Sequence, residues 1–111
     1  MTQEAILEQK LRALFPEAHQ HAQATEALAR YGIESHEQEP VRVRLAALKL
    51  AGADLGQLRA YVDAAKRDFR DVLAWAESPA QMKADSWRLP AAEQQALIAQ
   101  DRKQYDDWLR A

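Results

Sequence analysis

Residues 54–77, DLGQLRAYVDAAKRDFRDVLAWAE, decide the fold class. Leu55, Leu58, Val62, Ala65, Phe69, Val72 and Ala76 follow one another at alternating intervals of three and four residues, the rhythm of an apolar stripe along a helix. Tyr61, Leu73 and Trp75 flank the stripe and widen the face to be buried. Asp54 is placed to accept from the free amides of a first turn while Gln57 reaches back, and Ala53 and Leu58 stand where a staple pair belongs. Pro79 cannot continue the hydrogen-bond ladder and pushes Ser78 out of helical angles. The stretch is therefore expected to be one unbroken helix, about 23 residues at about 1.5 Å each, or a rod of about 34 Å along which the rest of the chain packs.

Working toward the N-terminus, Pro40 opens a helix to Ala51 at its first position and Gly52 closes it, so that 40–77 reads as an antiparallel helical hairpin. The run Val41 to Leu45 alternates like a strand, but no second alternating run exists to pair with it. On a helical wheel Val41, Leu45 and Leu48 form one stripe and Val43, Ala47 and Leu50 an adjoining one, leaving Arg42 and Lys49 at the wet edge. Arg44 falls between the stripes, where its guanidinium either reaches out to water or meets a carboxylate. Thr2 caps a first helix to about Leu14. A second follows from Pro16 to Arg30, with Gly32 as its left-handed cap and Ile33 folding back onto Leu28.

Toward the C-terminus, Ser78 to Leu89 is a long connector containing a one-turn helix to about Ala84, and it carries Met82 and Trp87. A last helix runs from Pro90 to about Leu109. The expectation is an all-α, compact bundle of four to five helices around the central antiparallel hairpin, forming a single domain over 1–111.

Composition narrows the function classes. The chain has 111 residues and no cysteine, which removes disulfides, thiolate nucleophiles and cysteine metal sites. The absence of an 18-residue apolar run and of a basic, apolar-centred start gives the expectation of a cytoplasmic protein with no membrane contact. A net charge of −2 argues against a dedicated nucleic-acid binder. The charge is uneven: residues 1–40 hold three basic and seven acidic groups, 41–75 seven and four, and 76–111 five and six. An acidic N-terminal part lying against a more basic hairpin, within one molecule or across a dimer, accounts for this pattern.

No catalytic set converges in the sequence. His19 and His21 are two apart on a helix and point away from each other, and His36 is remote, so no metal is expected. Glu34, Glu37 and Glu39, and the adjacent pair Asp106 and Asp107, read as solvated or capping acids, and no cofactor is implied. Asp63, Arg67 and Asp71 stand four apart with Trp75 one turn beyond, either as an exposed ion-pair ladder or as a binding patch. Trp75, Trp87, Tyr105 and Trp108 are core or line a pocket. Arg67, Asp71, Trp75 and Trp87 are thus the candidate partner-binding residues.

The runs VRLAALKLAGADLGQLRAYVDAAKRDFRDVLAWAE, at 43–77, and EQQALIAQDRKQYDDWL, within 90–109, resemble a small family of short bacterial proteins of uncharacterised function. The resemblance implies a helical module of bacterial origin and transfers no site residue. Three functions remain in view. The first is an interaction or scaffold module that binds a protein partner or itself as a homo-oligomer. The second is a nucleic-acid-linked regulator using Arg42, Arg44, Lys66, Arg67 and Arg70. The third is a ligand binder or enzyme whose pocket lies under the 78–89 connector with Trp87 as its lid.

Overall fold

The computed structural model describes residues 2–111; Met1 lies outside them. The described residues form helices α1 (Gln3–Leu14), α2 (Ala18–Ala29), α3 (Pro40–Ala51), α4 (Leu55–Arg67), α5 (Phe69–Glu77), α6 (Pro79–Lys83) and α7 (Ala91–Arg110), with a 3-10 turn at Ser86–Arg88 before α7. The class is all-α, and the number of helices exceeds the expected four to five for one reason above all.

The expected rod is broken at Asp68. Its backbone is extended, with φ −156° and ψ 103°, and that one residue ends α4 and begins α5. Its amide donates to the Ala64 carbonyl at 2.9 Å, closing α4. Its carboxylate accepts from the Arg70 amide at 3.1 Å, opening α5, and from the Arg70 guanidinium at 3.0 Å. Aspartate competes well for free amides and poorly for a helix interior, so a double cap outweighs continuation. Arg70 also holds the Asp68 carboxyl below its ordinary range.

The seam survives the break. Leu58, Val62, Ala65, Val72 and Ala76 are all buried, and Leu55 and Phe69 pack partly buried against the same core. Helix α3 covers both halves, since it packs against α4 and α5 and also against α1, while α2 leans on α4. Its buried Val43, Leu45, Ala46, Ala47, Leu48 and Ala51 go most of the way round the helix, as a central element requires. An apolar stripe that needed neighbours therefore finds them within one chain.

Polar ties arrange the α2–α3 connector. Helix α2 starts later than expected: Glu17 is its cap, accepting from the His19 and Gln20 amides at 2.9 and 2.8 Å, and Pro16 lies outside. Ile33 is exposed and does not fold back on Leu28. Gly32 takes φ +101°, and a Cβ there would stand 2.9 Å from the Pro40 Cβ, so the turn requires glycine twice over. Arg44 meets no carboxylate; it donates to the Leu28 and Tyr31 carbonyls at 3.0 and 2.6 Å, a cation at the C-terminal end of α2.

Helix α7 is attached differently. Asp101 is its one buried residue. That carboxylate accepts from the Ala80 and Gln81 amides and from the Gln81 side chain, at 2.9, 3.0 and 3.0 Å, capping α6 from across the interface. Gln104 donates to the Ala76 carbonyl, and Lys10 of α1 reaches the Ala111 carbonyl while lying over the Trp108 ring. With extents of 48 × 30 × 24 Å, the molecule is longer than a sphere of its size, consistent with a long helix held mainly by such latches. No described helix is long and apolar enough to cross a membrane.

Candidate functional site

The charged residues singled out in the sequence are mostly engaged inside the fold. Lys66 donates to the Glu37 carboxylate at 2.7 Å and to the Arg30 carbonyl at 2.7 Å. Glu37, within the connector, is buried and also accepts from the Gly32, Ile33 and Glu34 amides. Lys66 chiefly, with those amides, holds its carboxyl down at about 2 against the desolvation that opposes them. Tyr31, buried beside it, donates to the Gln38 carbonyl at 2.6 Å, and burial with the nearby Glu37 charge pushes its hydroxyl up to about 12. Of the three connector acids, Glu37 is thus a buried cap and the other two are exposed.

Arg42 grips Glu77 through two bonds of 2.8 and 2.6 Å, and Arg70 holds Asp68. Arg44 is bound to carbonyls, as described. Among the described residues, Arg67 alone of the five cations weighed for nucleic-acid binding has no ion pair or side-chain hydrogen bond. Phosphate recognition needs cations free to replace counterions, and this surface offers few. One N-terminal acid, Glu37, meets a hairpin cation, Lys66, within the chain, whereas Arg30 and Asp63, 3.2 Å apart, pair in the opposite sense.

The ladder of Asp63, Arg67 and Asp71 does not form. Asp63 turns to Arg30, and the break at Asp68 separates Arg67 from Asp71, which is exposed and unpaired among the described residues. Arg67 instead borders a depression at the α4–α5 corner with His36, Phe69 and Arg70. Trp75 is 39% exposed and stands edge-on to Tyr61, with centroids 6.3 Å apart. Tyr105 and Trp108 stack on each other at 5.9 Å near the end of α7. The four large aromatic residues of the sequence reading therefore do not share one pocket.

Among the described residues Trp87 is the most exposed large apolar side chain, at 71%, and the backbone puts it there. Ser78 ends α5, Pro79 starts α6, and Asp85 takes a left-handed conformation, φ 49°, that turns the chain into the 3-10 segment. The Arg88 and Leu89 amides donate to the Asp85 and Ser86 carbonyls at 2.9 and 3.0 Å, fixing the turn. Ser86 and Leu89 face partly inward, which leaves Trp87 and Arg88 outward, the guanidinium 4.5 Å above the indole ring. Met82, 46% exposed, adds to the same patch across a depression of about 380 Å³ floored by Ser78, Gln81 and Ser86.

Trp87 is not a lid. It borders an open depression and encloses nothing. Met82 and Arg88 were not among the candidate residues; the available signal was an aromatic residue beside a cation in a long connector. Among the described residues no cluster of side chains could hold a metal ion. Compared with protein-family models, with curated proteins and with solved structures, the chain matches none.

Proposed function

We propose that the protein is a small cytoplasmic interaction module, of the bacterial kind its sequence resembles, that pairs weakly with a second copy of itself through Trp87, Met82 and Arg88. The observation that carries this reading is the exposure of Trp87 on a fixed turn with Arg88 stacked over it. A Trp and an Arg held rigid in advance give up little side-chain freedom on binding, which is what interface anchors need.

The patch suits a like partner. Asp85 and Arg88 lie on either side of Trp87, so a two-fold arrangement brings Arg88 of each copy toward Asp85 of the other. The magnitude indicates a transient pair. The exposed parts of Trp87 and Met82 amount to roughly 250 Å² per copy, or on the order of 12 kcal/mol for the two copies at about 25 cal/mol per Å². Lost rigid-body freedom of about 4–15 kcal/mol offsets between about a third and all of it. The buried seam contributes nothing here, because α3 already covers it.

The test is a concentration series followed by amide NMR. Residues 82–88 should shift progressively as the protein is concentrated to about 1 mM, with Trp87→Ala removing the effect and Arg88→Glu weakening it most at low salt. Spectra independent of concentration would end the proposal.

A further inference from the structure

A second recess lies where α7 crosses the junction of α5 and α6. It is an open recess of about 330 Å³, and its walls include Ser78, Ile98, Arg102, Tyr105 and Asp106. Three features bear on what it can bind, two of them, Arg102 and Asp106, shared with a neighbouring depression along α7.

The first is the Tyr105 hydroxyl, which is buried and has no hydrogen-bond partner among the described residues. A covered, unpaired donor is uncommon in a folded protein and calls for an acceptor. Burial, the dominant cause, and the nearby Glu77 charge raise its pKa well above the ordinary phenol range, so it remains a donor at any physiological pH. The second feature is Arg102, whose guanidinium makes no ion pair or hydrogen bond among the described residues. The other guanidinium at the recess, Arg42, is neutralised by its two bonds to Glu77. The third is Asp106, one turn from Arg102 and likewise without an ion pair among the described residues.

Two opposite charges without ion pairs among the described residues thus border one recess whose formal charge is zero, and the covered Tyr105 hydroxyl belongs to a residue of its wall. A simple anion would meet Asp106, and a simple cation would meet Arg102. We propose that this recess binds a small zwitterion of the free amino-acid type, its carboxylate on Arg102 and on the Tyr105 hydroxyl drawn out to meet it, its ammonium on Asp106, and its side chain against Ile98. Bonds from charged donors are short and directional, and the guanidinium matches a carboxylate in plane. The volume suits a small ligand with a side chain of moderate size. The site stands apart from the Trp87 patch, with which it shares only the Ser78 and Gln81 corner.

The experiment is an amide NMR titration with free leucine, run beside 4-methylpentanoate, which lacks the ammonium, and isopentylamine, which lacks the carboxylate. Leucine should give saturable shifts at residues 78, 98 and 105, and each single-charge analogue should bind about tenfold more weakly. Tyr105→Phe should keep or raise the melting temperature of the parent and weaken leucine binding about fivefold, while Arg102→Ala should abolish it. Trp87→Ala should leave leucine binding unchanged, which separates this site from the self-association surface. The proposal is overturned by the absence of saturable shifts up to about 20 mM leucine, by analogues that bind as well as leucine, or by unaltered binding in both variants. A Tyr105→Phe protein that melts lower also overturns it, because the hydroxyl would then have a structural partner.

Discussion

Replacing Asp101 with alanine tests how α7 is held. The carboxylate is 1% exposed and both of its oxygens are occupied, one by the Ala80 amide and the other by the amide and side chain of Gln81. Hydrogen bonds to a charged group contribute about 1.5–3 kcal/mol each, but three bonds on one carboxylate are not additive, and the price of burying the charge offsets part of them. Loss of a helix cap alone costs about 1 kcal/mol, which sets the floor. A net destabilisation of about 2–3 kcal/mol follows, and for a chain of this length that lowers Tm by about 10 °C. Gln81→Ala removes only the side-chain bond and should cost about 1 kcal/mol or less. The double variant should cost less than the two singles together, because the Gln81 side-chain bond is absent once Asp101 is gone. Thermal melts give the magnitude, and hydrogen exchange at the Ala80 and Gln81 amides gives the place. A fall in Tm of less than about 2 °C, with both amides still protected, would refute the view that a polar latch holds α6 to α7.

Acid should loosen the α2–α3 connector. The Glu37 carboxyl has an ordinary value of 4.5 and a folded value of about 2, so its contribution is complete above 4.5 and is lost as pH falls toward 2. In Glu37→Gln the fall of Tm across that window should flatten, and an unchanged slope would show that Lys66 does not hold the charge. Gly32→Ala forces a Cβ onto Pro40 at a positive φ and should destabilise by about 1–3 kcal/mol in urea unfolding; an unaltered midpoint would contradict the crowding. Leu48→Ala opens a void at the centre of α3 and should cost about 2–5 kcal/mol in the same assay, whereas a cost under about 1 kcal/mol would remove α3 from the core.

The sequence made the helices legible wherever a boundary is written in the residues themselves. Thr2, Pro40, Gly52, Asp54 and Pro79 all act locally, through a hydroxyl or carboxylate that accepts, a ring that fixes φ, or a missing Cβ, and each stands at the start or end of an observed helix. The break at Asp68 was concealed because the three-four spacing continues across it: Ala65, Phe69 and Val72 still pack on the one core after one extended residue. Its signal was an aspartate followed by a second acid three positions later, a helix-start pattern lying inside a long apolar rhythm. Glu37 and Asp101 were illegible for another reason. Nothing nearby distinguishes a buried acid from a solvated one; the distinction rests on Lys66, 29 residues further along, and on the amides of α6, 20 residues before. Trp87 was legible as a candidate from the aromatic residue in the connector, but its outward aim depends on the left-handed Asp85.

If α3 covers both halves of the broken seam, a single chain folds without a partner, and the proposed pairing runs through the patch of Trp87, Met82 and Arg88. Sedimentation equilibrium of the parent and Trp87→Ala proteins from about 10 µM to about 1 mM tests this most directly. The expected result is a folded monomer at the dilute end for both, a growing dimer fraction for the parent and none for the variant. A dimer that persists at the dilute end, or that forms equally without Trp87, would contradict it.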